Sequence, residues 1–168
     1  MVLGAILDDE VGGVDSGSAY VFTRGQTGWT QQQKLVAGDG APGDRFGANS
    51  VIDGDTVAVS AYGVGNDTGA VYVAERTGST WSLPERLVGI PQVPSNYVGV
   101  GMGIEGSVLA VGGTSEGGDG NVGTVQVFNR TGGNWSHVQT LKAPGAPARD
   151  YFGLNLDLSD SRLGIGAM

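Results

Sequence analysis

The chain has 168 residues with a net charge of −8, from 9 basic and 17 acidic residues, and it contains no cysteine. An acidic surface repels phosphate backbones, and no basic stripe reverses this locally, so nucleic acid is not an expected partner. The lack of cysteine excludes disulfide bonds, thiolate catalysis and zinc sites built on sulfur.

Four sequence landmarks recur at offsets of 52 and then 54 residues. The first is a strand-like segment, written GSAYVF at 17–22, GAVYVA at 69–74 and GTVQVF at 123–128. The second is a tryptophan, at Trp29, Trp81 and Trp135. The third is an apolar residue followed by glycine, as Phe46-Gly47, Val98-Gly99 and Phe152-Gly153. The fourth is a small-residue segment with four copies, VLGA at 2–5, AVSA at 58–61, AVGG at 110–113 and GIGA at 164–167. Such repetition indicates units that bury their apolar faces against their neighbours.

The second repeat shows the strands of one unit most clearly. Its predicted strands are 46–52, 56–61, 70–76 and 81–88. Asp53-Gly54-Asp55 separates the first two strands, and an Asp-Gly between apolar runs is a strong hairpin signal. Pro84 makes the fourth strand an edge strand, because proline has no backbone N–H to donate.

Four antiparallel strands in about 52 residues, with glycine and aromatic residues at fixed positions, are typical of a β-propeller blade. The sequence therefore predicts an all-β fold of about three β-propeller repeats, two complete blades and two partial ones, within a larger ring. We expect one domain over residues 1–168. Its repeats are predicted at approximately 1–45, 46–97, 98–151 and 152–168.

Two stretches resemble a known family. DRFGANSVIDGDTVAVSA at 44–61 precedes TGAVYVAERTGSTW at 68–81, and GTVQVFNRTGGNW at 123–135 precedes DYFGLNLDLSDSRLGIGA at 150–167. They resemble the FG-GAP repeats of bacterial surface and secreted proteins, which are similar to the blades of the integrin α-subunit propeller. The resemblance covers nearly the whole chain and implies a propeller of about seven blades in an extracellular protein that binds other macromolecules.

The sequence departs from this family in two places. Val98 replaces the phenylalanine of the Phe-Gly pair, which is a conservative apolar change. Many family members also carry a DxDxDG calcium loop between the first two strands, where this chain has only a tight turn. The resemblance therefore does not support calcium binding at that turn.

The first and last repeats are incomplete, since the chain begins and ends at the second strand of a blade. One interpretation is a fragment of a longer protein. The other is a self-completing oligomer, in which two chains form one six-bladed ring. Either interpretation predicts open blade edges through which isolated chains associate.

The long connections are expected to share one end of the blades, because a four-stranded meander places its first and third turns at the opposite end. These connections are 62–69, 114–122 and the blade junctions around 37–45, 89–97 and 143–151. We call this end the loop face. Long loops on rigid strands often carry function, so we expect a protein or glycan ligand to bind there.

The most acidic loop contains Asp8, Asp9, Glu10 and Asp15, whose oxygen atoms are of the kind that calcium prefers. Asp8, Asp9 and Asp15 are the best candidates for a metal site. The alternative is a solvated turn in which these side chains cap their own backbone. The corresponding loops contain fewer candidate ligands, namely Asn66 and Asp67 in the second and Glu116, Asp119 and Asn121 in the third. No other cofactor is expected.

Several other polar and aromatic residues have structural interpretations. Asp44 and Asp150 lie two residues before a Phe-Gly pair, where Asn96 replaces them in the middle repeat, and capping of the strand entry explains them better than catalysis. His137, the only histidine, lies on a predicted outer strand and is expected at the surface. The three tryptophans are expected to anchor the outer strands by packing.

Two classes of function fit this sequence. The first is a non-enzymatic scaffold for binding or adhesion, at the cell surface or in the extracellular space. The alternative is part of a glycan-processing propeller enzyme whose catalytic residues lie outside these 168 residues. The repeats, the resemblance, the acidic surface and the lack of a catalytic motif favour the first. No apolar run suggests a membrane span, and no signal peptide is present, so the location rests on the resemblance alone.

Overall fold

The computed structural model describes residues 1–87, 95–114 and 122–168, and these residues form antiparallel sheets. We name the sheets blades 1 to 4 in chain order. Blade 1 contains β1 (Val2–Ala5), β2 (Ser18–Gly25) and β3 (Gly28–Leu35). Blade 2 contains β4 (Phe46–Asp53), β5 (Thr56–Ala61), β6 (Ala70–Thr77), β7 (Thr80–Trp81) and β8 (Glu85–Arg86). Blade 3 contains β9 (Met102–Glu105), β10 (Val108–Gly113), β11 (Thr124–Thr131) and β12 (Asn134–Leu141). Blade 4 is the hairpin of β13 (Asn155–Ser159) and β14 (Arg162–Gly166).

The predicted all-β fold of propeller-like blades is confirmed. Consecutive strands pair in each sheet, so blade 3 has the order β9, β10, β11, β12, except that β8 of blade 2 pairs with β6. The described sheets do not pair end to end into a closed ring. The division into one domain with four repeats stays a prediction.

The prediction of one continuous fourth strand in blade 2 is wrong. Two short strands, β7 and β8, replace the expected strand 81–88, and both pair with β6. The corresponding strands, β3 of blade 1 and β12 of blade 3, are continuous, but their register shifts at this position. Pro84 lies at this irregular point in blade 2 and has no N–H to donate, so the strand is interrupted there.

The connection 62–69 contains the one helical element of the described chain, α1 (Val64–Asp67). Gly65 and Asn66 have φ values of 61° and 60°, which is the left-handed region, so the element is a single left-handed turn. The sequence shows no helical periodicity there, in agreement with this geometry.

The apolar core lies between the blades. Along β5, Val57 and Val59 pack towards blade 1, whereas Ala58 packs towards blade 3. Both faces of this strand are therefore buried, which explains why its sequence is continuously small or apolar instead of alternating. Complete burial of a valine or phenylalanine stabilises a fold by about 1.5–3 kcal/mol, so these interfaces hold the blades together.

The glycine of each apolar–glycine pair allows neighbouring blades to meet closely. Gly47, Gly99 and Gly153 have φ values of 99°, 92° and 97°, which side chains rarely adopt. A Cβ on Gly47 would overlap the Ser18 carbonyl oxygen, and one on Gly99 would overlap the Ser60 side chain. The positive φ and this close approach together explain why glycine recurs at this position.

Candidate functional site: the loop face

The same backbone contact joins each blade to the next at the loop face. The N–H groups of Arg45 and Phe46 donate to the carbonyl oxygens of Asp15 and Ser16, at 3.1 and 2.8 Å. One repeat later, Tyr97 and Val98 donate to Asp67 and Thr68, at 2.9 and 3.0 Å. At the third junction, Phe152 donates to Val122 over 2.9 Å. The second-to-third loop of each blade is thus fixed to the junction that leads into the next blade.

This contact depends on left-handed backbone at the residue before the apolar–glycine pair. That residue is Arg45, Tyr97 or Tyr151, with φ values of 58°, 47° and 49°. Residues other than glycine rarely adopt this conformation, and it costs of order 1–3 kcal/mol unless the surroundings fix it. The inter-blade hydrogen bonds fix it here, so one large side chain is held at a constant position at each junction.

Three of the side chains at the loop face contact one another. The Arg45 guanidinium lies over the Tyr62 ring, 5.4 Å from the ring centroid. The Tyr62 and Tyr97 rings meet edge to face, with their centroids 6.3 Å apart. All three residues are partly exposed. We call Arg45, Tyr62 and Tyr97 the loop-face cluster.

Asp44 supports this arrangement by capping, as predicted. Its Oδ2 accepts the Ala41 N–H over 2.8 Å, and its own carbonyl oxygen accepts the Gly63 N–H over 3.1 Å. Burial raises the pKa of the Asp44 carboxyl. Asn96 has the equivalent position, and its carbonyl oxygen accepts the Thr114 N–H over 2.7 Å. The carbonyl oxygen of Asp150 likewise accepts the N–H of Met168, over 2.8 Å.

Asp8 lies in a hydrogen-bonded network with a lysine. Its Oδ2 accepts the hydroxyl groups of Ser18 and Tyr20, at 2.7 and 3.0 Å, and lies 2.8 Å from the Lys34 ammonium. Lys34 also pairs with Glu10. The hydrogen bonds from Lys34, Ser18 and Tyr20 lower the pKa of Asp8 to about 2, and those with Asp8 and Glu10 raise the pKa of Lys34. The lysine ammonium therefore neutralises Asp8, one of the three candidate ligands, together with Glu10.

The other two candidate ligands do not join Asp8. Asp9 Oδ1 accepts the backbone N–H of Asp15 over 2.9 Å, which is the capping alternative raised by the sequence. Within residues 1–87, 95–114 and 122–168, no three acidic or histidine side chains are arranged to hold a metal ion. Calcium binding by Asp8, Asp9 and Asp15 stays a prediction, and this arrangement of donors does not favour it. Glu116, Asp119 and Asn121 lie outside the described residues.

His137 and the tryptophans differ in their surroundings. His137 is exposed on β12, as expected, with Nε2 3.1 Å from the Thr140 hydroxyl. Trp81 is 3% exposed and anchors its outer strand, as predicted. The packing prediction is wrong for Trp29, which is 52% exposed. Trp135 is partly buried.

Two glutamines that the sequence interpretation missed join blade 1 to blade 2. Gln33 Nε2 donates to the Trp81 carbonyl oxygen over 2.9 Å, and Gln33 Oε1 accepts the Trp81 N–H over 2.8 Å. Gln32 Oε1 accepts the Trp81 indole N–H over 2.9 Å. The signal available in the sequence is the polar run Gln31-Gln32-Gln33, which has no counterpart in the second repeat.

Meander sheets that pack face to face through one repeated junction define a class, the propeller-type blade repeat. The family model of the FG-GAP repeat matches residues 29–74, from β3 of blade 1 to β6 of blade 2. The chain thus carries an FG-GAP repeat, as the resemblance implied. A search of curated proteins finds no match to this chain. The described residues form no helix that is long and apolar enough to cross a membrane.

Proposed function

We propose that this chain is part of a non-enzymatic β-propeller scaffold that binds a protein or glycan ligand through its loop face, at the cell surface or in the extracellular space. FG-GAP repeats are generally non-catalytic scaffold domains of surface or secreted proteins, and this supports both the activity class and the location. The observation that carries the proposal is the loop-face cluster of Arg45, Tyr62 and Tyr97.

Arginine and tyrosine are enriched among the residues that dominate binding energy at protein interfaces. In this chain Arg45 and Tyr97 project from junctions that backbone hydrogen bonds already fix, and Tyr62 precedes Gly63, whose N–H donates to the Asp44 carbonyl oxygen. A fixed surface loses less conformational entropy on binding than a flexible loop does. These two features favour a protein over a glycan as the ligand of the loop face.

The test compares the 168-residue chain with single variants on an array of purified extracellular proteins and on a glycan array. For any ligand found, Tyr97→Ala and Tyr62→Ala are expected to weaken binding by about tenfold or more, the effect of removing a dominant interface residue. Trp29→Ala is the matched control, because Trp29 is an exposed aromatic residue beside the turn between β2 and β3, at the other end of its blade.

Circular dichroism of each variant checks that the fold is retained. Equal binding by the wild type and both tyrosine variants would exclude the loop-face cluster as the site. Turnover of a glycan by the chain would contradict a non-enzymatic role.

A further inference from the structure

Arg45 differs from the other partly buried cationic residues in its lack of an acidic partner. Lys34, Arg76 and Arg130 are also partly buried, and each of them forms an ion pair with a carboxylate. Within the part of the chain that the structure describes, no carboxylate forms an ion pair with Arg45. The remaining arginine and lysine side chains are exposed, so water solvates their charges. Arg45 is thus a partly desolvated cation without a counterion.

The contact of Arg45 with Tyr62 does not replace a counterion. The guanidinium lies over the Tyr62 ring, 5.4 Å from the centroid, and the face of an aromatic ring attracts a cation. The ring carries no net charge, however, and it leaves the N–H groups along the edge of the guanidinium without an acceptor. These groups form a planar fork that fits the two oxygen atoms of a carboxylate. A carboxylate is therefore the complementary group for this side chain.

The surroundings hold Arg45 in place before any ligand binds. Its backbone N–H donates to the Asp15 carbonyl oxygen over 3.1 Å, which fixes the left-handed φ of 58°. The Tyr62 ring that supports the guanidinium is itself packed against Tyr97, with the centroids 6.3 Å apart. An arginine that is already positioned loses less conformational entropy when it pairs with a ligand.

The acidity of the chain limits how acidic the ligand can be. The preceding residue, Asp44, does not neutralise Arg45, because its carboxylate is buried and accepts the Ala41 N–H over 2.8 Å. The net charge of −8 repels a strongly acidic partner as it approaches. One acidic side chain among neutral residues therefore fits this site better than an acidic run does.

We propose that the loop-face cluster recognises a protein partner through a single aspartate or glutamate side chain, whose carboxylate pairs with Arg45 beside the Tyr62 ring. This inference rests on the function proposed above for the loop face, and it adds the chemical class of the contact. A sulfate ester of a glycan is also an anion, so the test includes it as a competing outcome.

The test follows the arginine Nε–H signals in a proton–nitrogen correlation spectrum of the 168-residue chain, in which Arg45→Lys identifies the Arg45 signal. The probes are a short glycine–serine peptide with one glutamate, the same peptide with glutamine instead, and glucose 6-sulfate. The glutamate peptide is expected to shift the Arg45 signal in a saturable way and to bind at least about tenfold more tightly than the glutamine peptide.

Arg24 is the internal control, because it is an exposed arginine at the other end of blade 1 that also forms no ion pair in the described chain. Its signal is expected to respond at least about tenfold more weakly than that of Arg45. Equal responses of the two arginines would show that Arg45 binds carboxylates no better than any exposed arginine, and the proposal would be wrong. A response to glucose 6-sulfate without one to the glutamate peptide would also overturn it, in favour of a sulfated glycan.

Variants separate this inference from the function proposed for the loop face. Arg45→Gln is expected to abolish the response to the glutamate peptide, Arg45→Lys to keep part of it, since lysine retains the charge without the planar fork, and Arg24→Gln to leave it unchanged. Circular dichroism checks the fold of each variant. For a ligand found on the protein array, binding that Tyr97→Ala weakens and Arg45→Gln does not would retain the loop-face site and refute the carboxylate contact. Binding that none of the loop-face variants changes would refute both.

Discussion

Gly112 of blade 3 lies against Gly153 of blade 4, so close that a methyl group on Gly112 would overlap the Gly153 carbonyl oxygen. The same relationship joins Gly4 of blade 1 to Gly47 of blade 2. In both cases the first partner belongs to a small-residue segment and the second to an apolar–glycine pair. These two repeated landmarks of the sequence are therefore the two sides of a single contact between blades.

Gly112→Ala tests this contact. The added methyl group meets backbone, which cannot move aside as a side chain can, so we expect a loss of about 1–3 kcal/mol in the free energy of unfolding. Gly164→Ala is the control, because a Cβ there would lie 3.7 Å from its nearest neighbour, the Asp157 carbonyl oxygen. Its effect should stay within about 0.5 kcal/mol. Urea unfolding measures both, and equal losses would show that the contact is not tight.

Features that depend on one blade could be predicted from the sequence. Asp53-Gly54-Asp55 predicted the hairpin that the structure has between β4 and β5, and the alternating residues of 70–76 predicted β6. The first strand was predicted equally well, since β4 begins at Phe46 as expected. Local turn chemistry and periodicity are sufficient for such elements.

Features that depend on two blades were harder to predict. The hydrogen bonds of Gln33 to Trp81 span 48 residues, and the polar run Gln31-Gln32-Gln33 does not by itself identify a partner so distant in sequence. The network of Asp8 with Lys34 lies within blade 1 but was also missed, since the lysine lies 26 residues later, on β3. An acidic loop considered by itself resembles a cation site, because its neutralising partner is distant in sequence.

Gln33→Ala tests the connection between blades 1 and 2. It removes two hydrogen bonds to the backbone of the buried Trp81, so we expect a loss of about 1–3 kcal/mol in the free energy of unfolding. Gln31→Ala is the matched control, since Gln31 is an exposed glutamine on the same strand and should change stability by less than about 0.5 kcal/mol. If both variants unfold at the same urea concentration, the glutamine bridge does not stabilise the interface.

The Asp8 network predicts a loss of stability in acid. The pKa of Asp8 is lowered to about 2 in the folded chain, below the value of about 3.9 expected when unfolded. The ionised form is therefore favoured by folding, so its contribution is complete above about pH 4 and is lost as the pH falls towards 2. We expect the thermal midpoints of wild type and Asp8→Asn to differ near neutral pH and to converge over this acidic range.

Asp160→Asn, at an exposed turn of blade 4, is the control for this measurement. It should have nearly the same midpoint as the wild type at every pH. A constant gap between wild type and Asp8→Asn down to the lowest pH would mean that the Asp8 carboxylate is not specifically stabilised by folding.

Lys34 determines how this loop should respond to calcium. Its ammonium group lies 2.8 Å from Asp8 and also pairs with Glu10, so we expect added calcium to leave the thermal midpoint of the wild type unchanged. Lys34→Gln removes the positive charge and leaves the carboxylates of Asp8 and Glu10 without a cationic partner. That variant is expected to unfold at a lower temperature in a chelator and to recover with calcium, since oxygen ligands of this kind suit the ion. Stabilisation of the wild type by calcium, abolished by Asp9→Asn or Asp15→Asn, would instead establish the metal site that the sequence suggests and would refute the role assigned to Lys34.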